Sequence, residues 1–172
     1  ETGRVLRALA DHNLFRLPVV RQALALFGVV DGNQENAAKL LREGELVLVF
    51  PGGAREALVK SQESRYQLYW DDVYGFVEVA LMAERPLVPI VVIGPDDAFI
   101  IVADHDQISA GPLGQVIRTI FGDDKYIPSV AVGPGFLPLP LPVPFTYYIG
   151  EPFHMPYPPE AAQDKTLVTR LQ

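Results

Sequence analysis

Short apolar runs and amphipathic segments alternate along the first third of the chain. Residues 5–10 and residues 45–50 are apolar runs that each predict a strand, followed by polar residues in the first case and of the buried type in the second. Residues 18–28 begin with proline and end with glycine, which indicates a helix with proline in its first turn. Residues 33–44 begin with asparagine, a favoured N-cap, and also end with glycine. The predicted order is therefore strand, helix, helix, strand.

The same alternation continues to the end of the chain. It predicts helices at 72–85, capped by Asp71, at 113–121 and at 158–172, and strands at 87–94, 98–103 and 145–153. Pro89 should mark a bulge or a strand end, because proline has no N–H for the ladder. We expect an α/β fold with a mostly parallel central sheet flanked by helices. Residues 1–172 are expected to form one domain, since no repeat or linker interrupts them.

Composition and charge exclude several classes of function. The formal charge is −7, and residues 61–172 carry six Lys/Arg against fourteen Asp/Glu, so nucleic-acid binding is not expected. The first sixty residues are balanced, with eight against seven, and would better suit an anionic ligand. The chain has no cysteine, and its three histidines lack the spacing of a zinc site. We therefore expect no metal and no bound cofactor.

Residues 126–150 form a long stretch without a single charged residue. Its length suits a membrane span, but six prolines would break a transmembrane helix. Such an apolar, proline-rich segment could lie against a bilayer surface or cover an acyl-chain tunnel. The alternative is an irregular pair of strands packed into the core.

The segment Phe50–Leu58, "FPGGAREAL", is the strongest candidate for chemistry. The chain contains no GxSxG, no Walker lysine and no GxGxxG, which excludes the classes that depend on them. After a strand, Gly52 and Gly53 would leave amide N–H groups open to an anion, and Arg55 would add a bidentate donor. The alternative is a tight structural turn, with Arg55 paired to Glu56 or to a surface carboxylate.

These residues, taken with others in the same order along the chain, resemble a known family. Residues 50–58, Gly75-Phe76 and Val88-Pro89-Ile90 are similar to the third and fourth sequence blocks of the glycerolipid acyltransferases. With residues 7–18 and 147–153, the Gly-Gly form resembles the branch related to diacylglycerol acyltransferases. The resemblance implies transfer of an acyl group from acyl-CoA, or acyl carrier protein, to a lipid hydroxyl in lipid metabolism such as phospholipid biosynthesis. It also implies a lipid acceptor as partner and a membrane-associated location on the cytoplasmic side.

The family's HxxxxD block, in which histidine is the general base, is absent from the 172 residues. The residues five positions after His12, His105 and His154 are leucine, alanine and proline. In the family this block precedes the strand that residues 5–10 resemble. The expectation is therefore that the block lies upstream of Glu1 and that this chain alone is inactive.

His12 is a candidate substitute base, because active-site groups gather at the carboxyl ends of parallel strands. The alternative is a histidine packed against Phe15 and hydrogen-bonded to backbone, since adjacent Asp11 cannot easily orient it. His105 is expected in a solvated loop, and His154 has nothing nearby to activate it. A group of aromatic residues could line an acyl groove or be core anchors: Tyr66, Tyr69, Trp70, Tyr74 and Phe76.

The residues assigned to substrate binding are Gly52, Gly53 and Arg55, with Glu56 in support. They would contact the acceptor's head group or the phosphates of the acyl donor. A non-catalytic lipid-binding module with the same fold is the competing interpretation. A third is an unrelated α/β protein with a merely structural Gly-Gly turn.

Overall fold

Three short strands near the amino terminus pair in parallel. The computed structural model describes residues 3–59, 61, 64–70, 73–137 and 139–172. β1 (Leu6–Ala10) lies between β2 (Val30–Asp31) and β3 (Leu46–Leu48), each parallel to it. β1 and β3 confirm the predicted strands, but β3 is half-buried or exposed rather than buried. The hydrophobic pattern did not predict β2, because two residues are too few to show a period.

The helices that connect these strands follow the sequence pattern. α1 (Pro18–Leu26) begins at the predicted proline, and α2 (Gln34–Arg42) follows Asn33. The Asn33 side chain accepts a hydrogen bond from the Asn36 N–H at 2.8 Å, which satisfies one of the donors left open at a helix start. After β3 the chain turns into the short helix α3 (Gly53–Leu58).

The chain divides into two compact units. The first contains residues 1–53, 70–88 and 151–172, and the second contains residues 54–69 and 89–150. The first unit therefore holds the parallel sheet, α1 and α2.

The core of the first unit forms around α4 (Gly75–Met82). Val77 and Leu81 are fully buried and pack with Val168 of α7 (Lys165–Leu171). A second cluster joins Val79 to Ala37 and Ala38 of α2. The buried residues of α4 are therefore Val77, Val79, Ala80 and Leu81.

Two helices of the first unit begin later than predicted. α4 begins at Gly75 rather than at residue 72, with Tyr74 at the N-cap position and no side-chain cap. The predicted cap, Asp71, and its neighbour Asp72 lie outside the described residues. The predicted helix at 158–172 is instead a 3-10 helix at Pro159–Gln163 followed by α7. Asp164 has extended backbone and accepts hydrogen bonds from the N–H groups of Thr166 and Leu167, so it starts a separate helix.

The strands of the second unit pair antiparallel. β4 (Ile90–Ile93) pairs with β7 (Thr146–Ile149), and β5 (Ile100–Ala103) pairs with β6 (Val130–Val132). The prediction of a mostly parallel sheet therefore holds for β1 to β3 and is wrong for these four strands. An apolar run predicts a strand but neither its burial nor the direction of its partner, and β4 and β7 are largely exposed. β4 begins directly after Pro89, as the missing N–H of that residue predicts.

Helices cover part of this second unit. α5 (His105–Ser109) and α6 (Pro112–Phe121) follow β5 along the chain. Ala98 and Ile127 are the most deeply buried apolar residues here, and Tyr126 packs on Phe121 with 5.2 Å between ring centroids. The predicted strands 98–103 and 145–153 and the predicted helix 113–121 are thus confirmed, with shifted ends.

We predict that Leu81→Ala destabilises the first unit by about 2–5 kcal/mol, because its side chain is almost completely buried beside Val77 and Val168. The free energy of unfolding from urea titration measures the loss. Leu26→Ala is the matched control: Leu26 is 86% exposed, and its loss should cost less than about 0.5 kcal/mol. Equal effects of the two substitutions would contradict the assignment of this core.

Candidate functional site

The Gly-Gly pair makes a tight turn between β3 and α3. The Gly53 N–H donates to the Phe50 carbonyl at 3.0 Å, and Gly53 has φ +54°. This left-handed conformation is strained for residues with a Cβ atom, although open space surrounds the position. Of the two glycine amides, Gly53 therefore already has an acceptor. The Gly52 N–H has none among the described residues.

Arg55 lies on the exposed side of α3 in the second unit. Its guanidinium carbon is 5.1 Å from the centroid of the Tyr69 ring, the distance of a cation–π contact. No carboxylate among the described residues pairs with it. The alternative of a tight turn with Arg55 paired to Glu56 or to a surface carboxylate stays a prediction, since Glu63, Asp71 and Asp72 lie outside the described residues. Glu56 is half-buried in the first turn of the same helix.

His12 is held by a carboxylate that sequence reasoning missed. His12 Nδ1 lies 2.7 Å from Asp31 Oδ2, while the Asp11 carboxylate accepts from the Asn13 N–H at 2.9 Å. The expectation that Asp11 does not orient His12 is confirmed. The expectation of a histidine bonded to backbone is wrong, since its ring pairs with a side chain and is 62% exposed.

The strand register explains why these two residues meet. Ala10, the last residue of β1, is opposite Asp31, the last residue of β2. Directly after Asp31, the Gly32 N–H donates to the Ala10 carbonyl at 2.8 Å, and a Cβ at Gly32 would lie 2.8 Å from that oxygen. Glycine is therefore needed for this close approach. The signal in the sequence was the short apolar Val29-Val30 before Asp31, which repeats the strand-then-aspartate pattern seen before His12.

The other two histidines lie elsewhere. His105 was expected in a loop, but it is the first residue of α5, and its Nδ1 is 3.0 Å from the Ile127 carbonyl oxygen. Asp104 caps that helix with a capping box, which is the reason a helix forms in this polar segment. His154 is exposed.

The aromatic group divides between the two units. In the first unit, Trp70 and Phe76 make an edge contact with 6.1 Å between centroids. In the second, Tyr69 lies under Arg55, and Tyr66 is fixed to the loop before β5: its N–H donates to Asp96 at 2.7 Å and its hydroxyl donates to Asp97. The hydrogen bond to Asp97 is the main cause that raises the pKa of Tyr66 above its usual value.

The sequence is similar to a known protein family and to several curated proteins. The family model for diacylglycerol acyltransferase matches residues 4–165. A "DGAT1/2-independent enzyme synthesizing storage lipids" of Mus musculus is 36% identical over 89 residues, which cover 52% of this chain and 26% of the mouse protein. "Phytyl ester synthase 1, chloroplastic" of Arabidopsis thaliana is 34% identical over 153 residues, which cover 83% of this chain and 22% of the plant protein. The chain thus spans about a quarter of the length of these curated relatives. No solved structure matches it.

We predict that Asp97→Asn lowers the pKa of Tyr66 toward the usual tyrosine value, because it removes the carboxylate that accepts the hydroxyl proton. A raised pKa in the folded state favours the neutral phenol. The contribution of this hydrogen bond to stability is therefore present at pH values below the pKa of Tyr66 in the unfolded chain. It is lost as pH rises through the pKa of Tyr66 in the folded protein.

The measurement is a spectrophotometric phenolate titration, with Tyr66→Phe identifying which of the seven tyrosines is observed. An unchanged Tyr66 titration in Asp97→Asn would show that this hydrogen bond does not form.

Proposed function

Because the chain belongs to the diacylglycerol acyltransferase family, we propose that it is an acyltransferase-type domain that acts on lipids. The fatty acyl group would pass from acyl-CoA to the hydroxyl of a glycerolipid or of another lipid alcohol. The observation that carries this proposal is the family match over residues 4–165. The names of two relatives, a phytyl ester synthase and a storage-lipid enzyme, support ester formation as the reaction.

The proposed reaction is acyl transfer from a thioester to an alcohol. The lipid oxygen attacks the thioester carbonyl, the new C–O bond forms and the C–S bond breaks. A general base takes the hydroxyl proton and returns it to the departing thiolate. Since no HxxxxD occurs in these 172 residues, we assign them to substrate binding. We expect no turnover from this chain alone.

Arg55 is the residue we propose for the polar part of the substrate. Its guanidinium is exposed, and the ring of Tyr69 supports one face of it. The planar guanidinium group can donate two parallel hydrogen bonds from the N–H groups at its edge, which suits a phosphate or a lipid head group. Gly52 and Gly53 stay part of the proposed substrate-binding set, and Glu56 would support the arginine.

A surface for lipid contact is also part of the proposal. In the second unit, several apolar side chains of the uncharged segment are exposed: Phe136, Leu137, Leu139, Tyr147, Tyr148 and Ile149. The alternative prediction, a strand pair packed in the core, does not describe these side chains. In the described part of the chain, no helix is long and apolar enough to cross a bilayer. We propose that this segment lies on the membrane surface, where exposed apolar area becomes favourable.

A second candidate is a non-catalytic lipid-binding module with the same fold. Both candidates require binding of a lipid or of acyl-CoA. They differ in turnover by the natural protein that contains this sequence. Ester formation that depends on acyl-CoA supports the enzyme, and binding without ester formation supports the module.

We predict that Arg55→Ala weakens binding of palmitoyl-CoA to the 172-residue chain by about tenfold or more, because it removes a charge-assisted donor. Isothermal titration below the micelle concentration of the ligand measures the affinity. Arg55→Lys keeps the positive charge but loses the bidentate geometry of the guanidinium, so its affinity should lie between those of the unchanged chain and of Arg55→Ala. Arg42→Ala, an exposed arginine of α2, is the control. Unchanged affinity in Arg55→Ala would remove Arg55 from the site.

We predict that replacing Phe136, Leu137 and Leu139 together by serine reduces binding to phosphatidylcholine vesicles by roughly tenfold or more. Vesicle flotation measures the bound fraction. The control replaces Leu26 and Phe27, equally exposed residues of the first unit, by serine. If the control loses binding and the triple variant does not, the contact surface is not this segment.

A further inference from the structure

A cavity of the first unit that is open to solvent lies where β1 and β2 end. Its volume is about 320 Å³, and His12, Phe15, Arg16, Arg21 and Asp31 line it. Binding sites for small molecules span roughly 300–1,000 Å³. The cavity is therefore large enough for one small polar group.

Two arginines on the wall of this cavity have no carboxylate partner. In this acidic chain, other arginines do form ion pairs: Arg7 with Glu45, Arg65 with Asp97 and Arg118 with Asp124. Arg16 and Arg21 are exposed and pair with no carboxylate among the described residues. Two guanidinium groups that line the same cavity attract an anion, and each can bind oxygen atoms in a bidentate way.

The acidic residue of the cavity is already engaged. Asp31 Oδ2 binds His12 Nδ1, so the carboxylate faces a donor rather than open space, although Asp31 Oδ1 is buried without a partner. With Nδ1–H donating to Asp31, His12 keeps Nε2 for a second interaction. Phe15 offers an apolar surface for the carbon part of a ligand.

We propose that this cavity binds the phosphate group of a phosphate monoester, with Arg16 and Arg21 as the anion-binding residues and Asp31 positioning His12. The site lies outside Phe50–Leu58, and apart from His12, the candidate base, its residues have no assigned part in acyl transfer. Only the source of the phosphate rests on the proposed function: it would be the 3′-phosphate of CoA or the head group of a phospholipid.

The test is a titration of the isotopically labelled 172-residue chain with inorganic phosphate at constant ionic strength. We expect the His12 ring signals and the side-chain N–H signals of Arg16 and Arg21 to shift together and to saturate. The double variant Arg16→Gln/Arg21→Gln should lose about tenfold or more in affinity, while Arg42→Gln should remain within about twofold. Asp31→Asn should change the His12 response while leaving the arginine response.

Two results would overturn the proposal. Shifts that never saturate, or that chloride reproduces, would indicate an adventitious ion only. An unchanged affinity in the double variant, with its folded spectrum intact, would place the anion elsewhere.

Competition identifies the source of the phosphate. If CoA binds more tightly than dephospho-CoA, the phosphate is the 3′-phosphate of the donor. If dihexanoyl phosphatidic acid binds more tightly than CoA, the phosphate is that of a lipid head group. If neither competes with inorganic phosphate, the monoester assignment fails. Phosphate binding without any acyl-CoA binding would instead contradict the proposed function and leave the cavity site intact.

Discussion

The parallel pairing of β1 with both β2 and β3 is the constraint on which the candidate chemistry depends. It aligns the carboxyl ends of three strands at one edge of the sheet. His12 follows the first strand, Asp31 ends the second, and the Gly52-Gly53 turn follows the third. Residues separated by up to forty positions thus reach one edge, the place where ligands bind in parallel α/β sheets.

This arrangement separates the roles of packing and chemistry. The buried faces of α2, α4 and α7 supply the apolar core of the first unit, and the strand ends leave polar groups accessible. A short strand such as β2 buries little area, yet the Ala10–Asp31 register and the close Gly32 contact fix the position of Asp31. Small backbone features therefore determine where the His12–Asp31 pair forms.

The elements that could be predicted were those with a strong local signal. Proline and asparagine at the starts of α1 and α2, and the apolar runs of β1 and β3, act over a few residues and are read directly. The antiparallel pairing of β4 with β7 depends on contacts more than fifty residues apart. The His12–Asp31 pair was missed for the same reason, since it joins residues nineteen apart through a two-residue strand. Family resemblance gave the class of reaction, which no single residue shows.

The central claim is that the carboxyl edge of the parallel sheet receives the polar part of an acyl-transfer substrate. Hydrogen–deuterium exchange of the 172-residue chain, with and without saturating palmitoyl-CoA, tests it most directly. The account predicts slower exchange in the segments that follow β1, β2 and β3, at residues 11–13, 31–33 and 50–53. Binding of palmitoyl-CoA that leaves exchange in all three segments unchanged would contradict it.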